Sequence, residues 1–149
     1  MRIVCVAVVL LGAFIPVRQT VAPDWMITTS DAAHRPLTGI TVREVWQQYS
    51  LDDSSHEEDR LTDNEGGAHF PRRTQWTSIG GRFLGCARQI ILTGVHASCG
   101  PHSYLVAFGD GVDTMDWADP GQEDGTTMPL QRSTLVLKHE IVVTGQHAH

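Results

Sequence analysis

Thr62-Asp63-Asn64-Glu65-Gly66-Gly67-Ala68-His69-Phe70-Pro71 is a turn set between two short β-forming runs. Asp and Asn favour turns because their side chains bond back to nearby backbone, and Gly supplies the positive φ that closes them. Arg60-Leu61-Thr62 before the turn and residues 67–70 after it read as the two strands of a hairpin. The same punctuation recurs upstream. Trp25-Met26-Ile27-Thr28-Thr29 is a first candidate strand, and residues 31–39 are rich in breakers. Residues 40–49 make a second strand, with Ile40, Val42 and Trp46 on one face. Glu44 shares that face by parity; a β-bulge turning it outward is favoured over an inward charge. Short β-rich runs separated by turns, with no long helical period in the first half, predict a small β-sandwich.

The remainder of the chain fits that frame with one insertion. Residues 51–59 are polar and acidic and read as a mobile loop. Phe83, Leu84, Ala87, Ile90 and Ile91 recur at helical spacing between Gly80-Gly81 and Gly94. A helix over about 81–92 is expected, with Phe83, Ala87, Ile90 and Ile91 buried and Arg82 and Arg88 wet. Tyr104-Leu105-Val106-Ala107-Phe108 is apolar on both faces and reads as a covered central strand. Residues 110–127 form a second acidic loop. The last strand, 134–143, places Leu135, Leu137, His139, Ile141 and Val143 on one face, and residues 145–149 are a frayed tail.

Two stretches, Pro36-Leu37-Thr38-Gly39-Ile40-Thr41-Val42 and the turn at 62–71, resemble the carboxypeptidase regulatory-like, or transthyretin-like, modules of secreted bacterial proteins. Gly94-Val95-His96-Ala97-Ser98 is similar to a block in uncharacterised secreted members with a like insertion. The resemblance covers roughly residues 24–109. It implies a seven-stranded antiparallel β-sandwich serving as an accessory or recognition module. The related hydroxyisourate hydrolases end in Tyr-Arg-Gly-Ser; this chain ends Gln146-His147-Ala148-His149, so their activity is not carried over.

Met1-Arg2, the apolar run of residues 3–17 and small residues near Ala22 have the anatomy of a secretory signal peptide over residues 1–22. The run is short for a spanning helix, which needs about 20 apolar residues. A retained membrane anchor or a buried first strand are the alternatives, since Pro23 is a poor neighbour for cleavage. Export to the periplasm or exterior follows, with residues 24–149 as one domain. Removing the leader takes Arg2 and Arg18 and no acid, which moves the net charge from −6 to −8. That balance disfavours nucleic acid and anionic membrane as general partners. Cys86 and Cys99 then remain, as a disulfide or as two buried thiols.

The residues that carry chemistry are scattered. The eight histidines lack zinc-site spacing, and Asp110, Asp113, Asp116, Asp119, Glu123 and Asp124 miss the EF-hand pattern, so no metal or other cofactor is expected. Ser98 and Cys99 lie near His96 and His102 but in no nucleophile motif. Trp46, Trp76 and Trp117 invite a sugar-stacking platform, although Trp46 faces inward by parity. Residues 67–109 carry no acid, yet hold several arginines. The expectation is a non-catalytic module that binds a protein or glycan partner through Arg72, Arg73, Trp76, Arg82, Arg88 and Trp117. A transthyretin-like hydrolase using His96 and His102 is the second reading, and a purely structural envelope protein the third.

Overall fold

Pro23 and Pro71 break one long antiparallel pairing into two, because a proline has no N–H to give the ladder. Upstream of the break, β1 (Val17–Ala22) pairs with β6 (Arg73–Thr77); beyond it, β2 (Trp25–Ser30) pairs with β5 (Gly67–Phe70). The computed structural model describes residues 11–109, 116–118 and 130–137. The other elements are β3 (Thr41–Gln48), β4 (His56–Leu61), helix α1 (Ile79–Thr93), a 3-10 turn (Gly94–His96), β7 (Pro101–Phe108), β8 (Asp116–Ala118) and β9 (Gln131–Val136).

The molecule is mostly β, in a sandwich-like arrangement with one helix. Its sheets are β1-β6, β5-β2-β9 and β4-β3-β7-β8. Nine strands are present among the described residues where seven were expected. They are not all antiparallel: β9 runs parallel to β2 from Trp25↔Gln131 to Ser30↔Val136. A parallel pair needs a long connection between its strands, and the many residues separating β2 from β9 supply one.

The apolar core lies between β5-β2-β9 and the inner face of β4-β3-β7-β8. Trp25, Ile27, Phe70, Leu135 and Leu137 meet Ile40, Val42, Leu105 and Ala107 there. Beneath β1 and β6 the interior turns polar, with Gln19, Thr20, Glu44, Gln48, Thr77 and Ser103 all buried. Gln48 Nε2 donates to Gln19 Oε1 at 2.9 Å across this layer.

Several expectations are corrected. No bulge turns Glu44 outward: β3 keeps regular register on both sides, with Glu44 opposite Glu58 and Leu105, and the side chain is fully buried. Residues 56–59 are not loop but the first part of β4. Its acids are neutralised on alternate faces, Glu57 and Asp59 by Arg43, and Glu58 by Arg60 and Arg73, so a strand of like charges pairs without repulsion. The 63–66 turn exists, with Gly66 at φ +74° and Asp63 Oδ1 accepting from the Glu65 and Gly67 amides. It does not close a hairpin, because β4 and β5 belong to different sheets. Thr62 guides the crossing: its hydroxyl donates to Leu37 O and accepts from the Ile40 amide. β7 is covered on one face only, burying Ser103, Leu105 and Ala107 while Tyr104, Val106 and Phe108 are half-exposed. His139, Ile141 and Val143 lie outside the described residues, as does most of the 110–127 segment.

Candidate interaction surface

Helix α1 begins where Ser78 caps it, the hydroxyl accepting from the Gly81 amide at 3.0 Å, and stops at Gly94 with φ +60°. Gly81, Gly85 and Gln89 recur every four residues and so form one side of the helix. That side meets the sandwich. A Cβ built on Gly85 would lie 1.5 Å from Ser50 O, a backbone approach that only glycine permits. Gln89 Nε2 donates to Tyr49 O at 3.1 Å, and Arg88 Nη1 donates to Asp53 at 2.9 Å. From the middle of the helix a disulfide joins Cys86 to Cys99, with Cα atoms 5.3 Å apart. The helix is therefore fixed by small residues, polar bonds and a covalent staple.

Its apolar side faces away. None of the fifteen residues of α1 is buried, and Phe83 is 73 % and Ile91 82 % exposed. The expected burial of Phe83, Ala87, Ile90 and Ile91 is thus overturned: Ala87 is half-buried, and the three larger side chains, with Leu84, point into solvent. Glycines that let the backbone close on Ser50 fix the rotation of the helix, and the large residues lie opposite them. The Gly81–Gly85 spacing is the sequence signal for this orientation. Beside the first turn of α1, Gly80 donates to Ala13 O at 2.7 Å, and a Cβ on Gly80 would meet the Phe14 ring at 2.8 Å. Leu11, Phe14 and Ile15 are exposed there.

The residues singled out from the sequence divide. Trp76 is exposed on β6, cross-strand from Arg18 and three residues before α1. Arg72 is exposed, Arg82 half-buried and Arg88 paired with Asp53. Arg73 is not a surface cation. Its Nε donates to Glu44 at 2.9 Å, an Nη donates to Glu58, and the guanidinium lies 4.6 Å from the Trp46 ring centroid. Burial pushes the Glu44 carboxyl above the usual carboxylate range despite Arg73, and its Oε1 has no partner among the described residues. Arg60, with Arg73 behind it, holds Glu58 below that range. Trp117 belongs to β8, and its side chain lies outside the described residues. Trp46 packs between Arg73 and His56, so it forms no platform with Trp76. His102 stacks on Tyr49 and lies tilted against Tyr104, His96 ends the 3-10 turn, and Cys99 is committed to the disulfide.

One polar surface was missed. Met26, His69 and Arg132 make a row across the outer face of β5-β2-β9, and the Asp24 carboxylate accepts from His69 Nε2 at 2.6 Å. Together with Arg60, Asp63 and Glu65 they line an open groove of mixed charge. The parallel pairing of β2 with β9 brings Arg132 there, and no local pattern announces that pairing. Among the described residues, no three His, Cys, Asp or Glu side chains gather as metal ligands would.

No family model and no curated protein matches this chain. Solved structures similar to it include 3-chlorocatechol 1,2-dioxygenase of Rhodococcus opacus 1CP (12 % identity, TM-score 0.46, 80 % of this chain and 61 % of that one). Chlorocatechol 1,2-dioxygenase of Pseudomonas putida matches at 15 % identity and TM-score 0.42, over 85 % and 61 % of the two chains. Hydroxyquinol 1,2-dioxygenase of Pseudomonas putida DLL-E4 matches at 16 % and 0.41, over 87 % and 58 %. The chain spans about three fifths of the length of these proteins. Each is an enzyme by name, so the expectation of a non-catalytic module, and the exclusion of an enzyme with it, does not stand. At these scores and identities the likeness carries no argument for a reaction of this chain.

Proposed function

We propose that this chain is an exported sandwich of carboxypeptidase regulatory-like type that works by docking the apolar face of α1 onto another apolar surface. The observation that carries the reading is a fifteen-residue helix with no buried residue, whose large apolar side chains face solvent while its glycines face the protein. Contiguous apolar patches are rare on soluble monomers and mark interaction sites. Two features keep α1 in place without burying that face: the contact of Gly85 with Ser50, and the Cys86–Cys99 bridge. A disulfide suits an oxidising compartment, which supports export.

An apolar dye tests the reading. Bis-ANS fluorescence is expected to rise strongly on the wild-type chain and several-fold less on a Phe83→Ser/Ile91→Ser chain with the same melting temperature. Equal enhancement on both chains would remove α1 as the exposed apolar surface.

A further inference from the structure

We propose that the surface α1 docks on is a lipid bilayer, and that Leu11, Phe14 and Ile15 enter the same bilayer beside it. This rests on the docking reading above and names the partner. The first support is position. Residues 3–17 form the apolar run of the sequence, and its described end reaches the first turn of α1 through the Gly80–Ala13 hydrogen bond and the Phe14 ring. Leu11 and Ile15 are exposed at that junction, so apolar surface continues from the run onto the helix.

Charge is the second support. Residues 67–109 contain no Asp or Glu, so α1 itself carries no carboxylate into the lipid interface, and the neighbouring Asp53 is paired with Arg88. A half-buried Arg82 has a stem long enough to keep its head group in the aqueous layer. No described helix is long and apolar enough to cross a membrane, so α1 would lie along the surface, its apolar side sunk about 5–10 Å.

The strand that follows the run supplies the third. Val21, Ala22 and Pro23 are buried, and β1 completes the polar layer over Glu44 and Gln48. Cleavage after Ala22 would strip β1 from the sandwich and uncover β6. Left joined to β1, Leu11, Phe14 and Ile15 stay next to α1, where they share one apolar phase with it.

A tryptophan at the centre of the face tests this. Phe83→Trp is made in the full chain, and its emission, taken as the difference from wild type, is read in buffer and with phosphatidylcholine vesicles brominated on the acyl chains. Lipid docking predicts red, water-exposed emission in buffer, and a blue shift with loss of most of the intensity on vesicles. Emission that stays red with vesicles overturns the bilayer as partner and leaves the docking face standing. Blue emission in buffer that turns red on dilution assigns the face to a second copy of the chain. Blue emission at every dilution means the face is packed within the chain, and both readings fall.

Discussion

Arg73 holds two carboxylates and an aromatic ring at once. Glu44 sits fully buried at the middle of β3, and Arg73 is its only hydrogen-bond donor among the described residues. Removing one partner of a buried ion pair leaves the other charge uncompensated, which costs about 3 kcal/mol. Arg73→Ala is therefore expected to lose about that much stability at pH 7 by urea unfolding. The loss should shrink as pH falls. A carboxyl whose folded pKa is raised takes up its proton first in the folded state, so stability is gained as pH drops from that raised value towards the ordinary one. A penalty that is constant down to the ordinary Glu range would contradict the buried-charge account. Parity along residues 40–48 already put Glu44 on the inner face; what the sequence hid was its partner. Arg73 lies far along the chain on a strand of another sheet, so the bulge looked cheaper than a buried acid.

At the scale of elements, charge pairing and glycine contacts decide what hydrophobic patterning leaves open. β4 has almost no apolar residue, so its pattern reads as loop, and it becomes a strand because Arg43 holds both Glu57 and Asp59 across the ladder. Hydrogen bonding to Arg43 keeps the Asp59 carboxyl below its usual range. The existence of α1 and its approximate extent were legible from its period and the glycines that bracket it. Its rotation was not, because an apolar stripe is ordinarily read as core. Gly85 carries the orientation. Gly85→Ala would drive a methyl group into Ser50 O, and neither backbone can give way by the distance required. We expect α1 to lift from the 49–53 segment, so that trypsin cuts after Arg82 and Arg88 several-fold faster than in wild type. Unchanged cleavage would show that the Ser50 contact does not hold the helix.

For the molecule as a whole, the two-layer core and most strands from β2 to β7 followed from turns and alternation. The β1-β6 sheet and the parallel β9 did not, since both depend on pairings between distant segments that leave no local trace. The same holds for function: the apolar face exists only because the sandwich binds α1 by its glycine side. If that face is free in solution, changing it does not alter the stability of the molecule. The melting of the full chain carrying Ile91→Asp tests this most directly. The account predicts a stability within about 0.5 kcal/mol of wild type, as for other exposed positions. A loss of more than about 2 kcal/mol, the signature of an unpaired charge forced into an apolar contact, would contradict it.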